Sequence, residues 1–159
     1  MKKIILLTLI VLTTFSFIGC SNNRDLEISG EYKFEKVVYL SPLSSSTIDY
    51  EEKQMEGTIY TINKDNFEIV SSGNQYKISD PIYEKIKMDN VLVQTFNDAV
   101  FDSVDISKYK EKYQYILYTS ENVKANFYLY SIDDELWIAA YADNTANKTD
   151  IIMNIYKIQ

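Results

Sequence analysis

The chain has no histidine and a single cysteine among its 159 residues. Without histidine it lacks the commonest general base and the commonest transition-metal ligand. With one thiol it can form no internal disulfide and no thiolate-rich metal centre. Serine chemistry loses its support for the same reason: Ser44-Ser45-Ser46 offers hydroxyls but no imidazole to activate them, so it reads as a loop. Positive charge is also in deficit, with 16 Lys and Arg against 23 Asp and Glu. An acidic surface repels phosphates, which argues against nucleic-acid binding and against electrostatic docking on anionic lipid. The chain also lacks any apolar run long enough to span a bilayer. Its longest apolar stretch, Ile4 to Ile18, covers roughly 22 Å as a helix against a hydrocarbon core of ~30 Å.

That stretch follows Lys2 and Lys3 and ends at Gly19-Cys20, after which Ser-Asn-Asn-Arg-Asp turns sharply polar. A short basic region, an apolar core and a small residue make an export signal. Phe17-Ile18-Gly19-Cys20 resembles the bacterial lipobox, with Phe17 in place of the usual Leu. The resemblance implies cleavage after Gly19 and a diacylglycerol thioether on Cys20, which would spend the only thiol. Two acyl chains anchor stably where one binds only marginally, so the expected location is the extracytoplasmic face of the cell membrane. The expected organisation is a signal at residues 1–19, the lipidated Cys20 with a tether to residue 27, and one domain over 28–159. Removing the signal takes away two lysines and no acids, so the mature charge is 14 − 23 = −9.

Within the domain, fourteen tyrosines and an abundance of Ile, Val and Phe favour strands. In Glu31 to Val38, Tyr32, Phe34 and Val38 alternate with Glu31, Lys33 and Glu35, the pattern of a half-buried strand. Further strands are expected at 58–62, 67–70, 75–78, 83–88, 91–96, 113–119, 125–132, 135–142 and 151–158. Ser41 to Lys53 reads as a loop, Asp80-Pro81 as a turn, and Asn97 to Lys112 as the place for one short helix. Strands do not alternate with helices, so a parallel α/β sheet is disfavoured. The expected fold is mainly β: an antiparallel barrel or sandwich of about eight to ten strands, with at most one or two short helices. Phe127-Tyr128-Leu129-Tyr130, Leu136-Trp137-Ile138-Ala139 and Ile151-Ile152-Met153 are apolar on both faces. Such strands need cover on each side.

Ser29-Gly30-Glu31-Tyr32, just after the tether, resembles the Gly-x-Trp first strand of lipocalin-like domains, with Tyr32 in place of Trp. Small bacterial lipoproteins carry such domains. The resemblance implies a β-barrel with a cavity for an apolar or amphipathic ligand; with no histidine and no free thiol the expected role is binding without catalysis, and no cofactor is expected. The expected lining comes from the largest side chains of the two-faced strands: Tyr128, Tyr130, Trp137 and Tyr156. The alternative is a solid core, with the domain serving as an interaction or inhibitor module for another envelope protein. Other constellations have plainer readings. Asp133-Asp134-Glu135 reads as a hairpin turn in preference to a calcium site. Asp98, Asp102 and Asp105 read as a solvated face. Tyr109, Tyr113, Tyr115 and Tyr118 beside Lys108, Lys110 and Lys112 form the one basic and aromatic stretch, read as an amphipathic edge. No metal site is expected.

Overall fold

The computed structural model describes residues 26–88, 104–144 and 149–159. The export signal, Cys20, the expected strand at 91–96, Asp98 and Asp102 lie outside those residues. In chain order the elements are β1 (Gly30–Leu40), α1 (Ile48–Met55), β2 (Ile59–Ile62), β3 (Asn66–Ser71), β4 (Asn74–Ser79), β5 (Ile82–Lys87), β6 (Lys112–Tyr118), β7 (Lys124–Ile132), β8 (Glu135–Asn144) and β9 (Thr149–Ile158). The nine strands form one antiparallel sheet in the order β4-β3-β2-β1-β9-β8-β7-β6-β5. The protein is therefore mainly β, as composition and periodicity predict.

No pairing joins the two ends of that order, β4 and β5. Antiparallel pairing at each of the eight steps between them makes them run in the same direction. They are separated only by Asp80-Pro81, with Asp80 at φ 48°. The chain thus bends here without reversing, and the turn expected at this dipeptide is a corner. Proline suits it, since it has no N–H to contribute to a ladder. β4 bonds to β3 and β5 bonds to β6. β1 is shared in the same manner: Gly30–Lys33 pair with β2, and Phe34–Leu40 pair with β9. Two halves of the sheet therefore meet at β1, which both share, and at the corner between β4 and β5. Their facing surfaces touch: the rings of Phe67 in β3 and Tyr76 in β4 lie 5.7 and 5.2 Å from Phe127 in β7.

Of the stretch expected to hold a short helix, residues 97–103 lie outside the described residues and residues 104–111 are turns and irregular chain. Two further local features depart from the sequence reading. Ile48–Met55 is a helix where a loop is expected. Thr47 caps it by accepting the Tyr50 amide, Asp49 and Glu51 occupy its first turn, and Lys53 its last, each favourable to the helix dipole. The helix covers β1 where β2 has ended: the Val37 amide donates to Glu52 Oε1 at 3.3 Å, and the Tyr156 hydroxyl donates to Glu51 Oε2 at 2.9 Å. The second departure lies in β1 itself. Register shifts between Phe34 and Lys36 and between Val37 and Tyr39 break the alternation, since a bulge turns the following side chains to the other face. Val37 joins Tyr32 and Phe34 against the interior, and Val38, expected with them, packs on the outer face.

The two faces carry separate cores. Leu129, Leu136, Ile138 and Ile158 point into the interior with Tyr60, Ile62, Phe67 and Leu117. Tyr128, Tyr130, Ile132, Trp137, Ala139 and Ile155 point outward and are still buried. Their cover comes from the connection between β5 and β6, whose Met88, Val104, Ile106 and Tyr109 pack on them. The strands apolar on both sides are thus covered on both sides.

Candidate functional site

The four aromatic side chains singled out as a ligand lining do not converge. Tyr128, Tyr130 and Trp137 share the outer face, and Tyr156 belongs to the interior. Tyr130 and Trp137 are directly opposed across β7 and β8. Tyr128 stacks on Tyr141 at 4.5 Å, the Lys124 ammonium sits 4.9 and 4.7 Å from those two rings, and Asp150 accepts from both Lys124 and the Tyr128 hydroxyl. This end of the outer face is filled by its own contacts. Burial pushes the Tyr128 and Tyr130 hydroxyls above their ordinary value of 10.0, reinforced at Tyr128 by the bond to Asp150. They stay protonated at neutral pH and act there as hydrogen-bonding groups, not bases.

Toward Trp137 the outer face opens into a cleft of about 400 Å³, lined by Lys36, Val37 and Val38 from β1, Val104, Asp105, Lys108 and Tyr109 from the covering segment, and Glu135 and Trp137 from β8. Tyr109 stands edge-on to Trp137 at 5.9 Å. The indole N–H donates to Glu135 Oε2 at 2.8 Å, which fixes the ring. Lys157 bridges Glu135 at 3.4 Å and Glu35 at 3.1 Å, and its ammonium is held above its ordinary value, first by the bond to Glu35. Asp105 accepts the Ser107 hydroxyl and, at 3.0 Å, the Ser107 amide, which hold its carboxyl below the usual range. An aromatic wall, aliphatic sides and a few charged groups make an amphipathic site. Its volume falls within the range of small-molecule pockets, about 300–1,000 Å³.

The remaining sequence candidates are distributed elsewhere. The tyrosines beside the lysine-rich stretch separate: on β6 Tyr113 and Tyr115 turn inward and Tyr118 donates to Glu84 at 2.9 Å, while Tyr109, before the strand, reaches the cleft. The carboxylates at the β7–β8 turn diverge. Asp133 accepts the amides of Lys110 and Glu111 at 3.0 and 2.7 Å, while Glu135 turns to Trp137 and Lys157. Lys36 and Val38 are cleft residues that the sequence reading passed over. They carried no signal, because the bulges that aim them depend on pairing with β9. Among the described residues no helix is long and apolar enough to cross a membrane. No known protein family, curated protein or solved structure matches the chain.

Proposed function

We propose that this chain is a lipid-anchored, non-enzymatic binding protein on the extracytoplasmic face of the membrane, with a lipocalin-like barrel and a site for a small amphipathic molecule. Cys20 carries the anchor and residues 1–19 the signal, on the lipobox resemblance. The shared strand β1 and the β4–β5 corner support the barrel, because they tie both halves to one interior. The interior holds large, fully buried side chains, among them Tyr60, Phe67, Leu117 and Leu129, so the ligand is assigned to the outer cleft. The observation that carries the reading is that cleft, walled by Tyr109 and by the chain's only tryptophan.

The test uses the mature chain with Cys20→Ser, which cannot be acylated, titrated with the neutral dye N-phenylnaphthylamine. Saturable binding with a change in Trp137 emission is expected, and Val38→Phe, which fills the cleft from β1, should abolish it. No binding by the folded monomer would end the ligand reading. An interaction module for another envelope protein would then lead. It has one observation in its favour: Leu43, Ile48 and Tyr50, on α1 and the loop before it, are 70%, 51% and 57% exposed.

A further inference from the structure

We infer that the cleft selects small anionic amphiphiles, a carboxylate or sulfonate on a compact apolar body; this rests on the cleft being the ligand site. Four charged side chains line it: Lys36, Lys108, Asp105 and Glu135. Their formal charges cancel, so selectivity depends on which groups have hydrogen bonds left to make. Glu135 is engaged within the fold through both oxygens and Asp105 through one. Glu135 takes the indole N–H and faces Lys157, and Asp105 takes the Ser107 amide and hydroxyl. Neither lysine forms an ion pair within 4 Å among the described residues, and Lys108 acts on Asp105 only at longer range, as the smallest of the influences on that carboxyl. The Lys108 ammonium lies 5.0 Å from the Tyr109 ring centroid, a weak contact that leaves its N–H groups directed at solvent or ligand.

A lysine ammonium brings three donors and no acceptor, so with two lysines against one Asp105 oxygen the unspent capacity of this site is mainly donor capacity. An anionic head meets it with charge-assisted hydrogen bonds, which are about twice as strong as neutral ones. A cationic head would have to compete for Glu135 and would find only the second Asp105 oxygen outside those bonds. Trp137, Tyr109, Val38 and Val104 then receive the apolar body. The acidic character of the whole domain does not oppose this, because salt screens distant charges over about 8 Å at physiological ionic strength.

The experiment compares two probes with nearly the same aromatic body, anilinonaphthalene sulfonate and the neutral N-phenylnaphthylamine, on the Cys20→Ser mature chain. The sulfonate should bind at least about tenfold more tightly, each tenfold being one step in the dissociation constant. Lys36→Gln combined with Lys108→Gln should weaken the sulfonate about tenfold and so erase that preference. Decanoate should displace the sulfonate. Equal affinity for the two probes, or a preference that survives the double substitution, would overturn the anionic selectivity while leaving the cleft standing. Displacement by phosphatidylglycerol vesicles and not by decanoate would overturn the free-ligand assignment in favour of a lipid headgroup. Binding of neither probe would instead remove the site itself.

Discussion

Ile138 and Ile155 give a matched test of the two-faced sheet. Each is 1% exposed; Ile138 points into the interior and Ile155 into the outer core under Met88, Val104 and Ile106. Truncation to alanine removes three methylene-sized groups, worth about 0.8 kcal/mol each in transfer, or about 2.4 kcal/mol. A cavity term raises the expected loss to about 3–4 kcal/mol. Because the outer face is covered as completely as the inner, Ile155→Ala should cost the same as Ile138→Ala to within about 1 kcal/mol. On a sheet with one solvated face it would resemble Val70→Ala, where Val70 is 40% exposed and the cost should stay below about 0.5 kcal/mol. Urea denaturation followed by Trp137 fluorescence measures all three, and an unchanged slope confirms that the midpoint shift is a stability change. An Ile155→Ala loss as small as that of Val70→Ala would refute the claim that the β5–β6 connection covers this face.

Three further outcomes are expected. Among the described residues the buried Tyr60 hydroxyl has no hydrogen-bond partner, so Tyr60→Phe should be neutral or stabilise by about 1 kcal/mol; a clear drop in urea midpoint would mean that the hydroxyl is bonded after all. Burial holds Tyr60, Tyr83, Tyr128, Tyr130 and Tyr156 above the ordinary 10.0. Above that pH the folded chain keeps protons that the unfolded chain releases, so this stability is full below pH 10 and falls as pH rises past it. Tyrosinate absorbance and loss of ellipticity should accordingly rise in one alkaline transition, and early tyrosinate absorbance without unfolding would contradict the burial. Cys20→Ala should move the protein out of the detergent phase on partitioning, since no other side chain can carry the thioether lipid; undiminished partitioning would sink the anchor.

The fold class and the need for two covers were written in local pattern along the chain. Periodicity is local, so Tyr128, Leu129 and Tyr130, or Leu136, Trp137 and Ile138, declare two-sided burial wherever they end up. Turn chemistry is local too, which is why Asn63–Asn66, Ser72-Gly73 and Asp133-Asp134 separate the strands where expected. The helix at Ile48–Met55 was legible in principle from Thr47, Asp49, Glu51 and Lys53. Its weak apolar content hid it, because it packs on a strand edge mainly through Glu51, Glu52 and Met55.

Tertiary structure decided which way each face looks. Alternation leaves an overall sign undetermined, and only the closing contacts of Phe67 and Tyr76 with Phe127 make the Leu129 side the interior and the Trp137 side the exterior. Long-range pairing decided the corner at Asp80-Pro81, since a bend and a reversal share the same turn residues and differ only in the partners of β4 and β5. It also set the bulges of β1, which send Lys36 and Val38 to the outside. The cleft beside Trp137 exists because those residues, the 104–109 segment and β8 meet there from three distant parts of the chain, and no local pattern encodes a meeting of that kind.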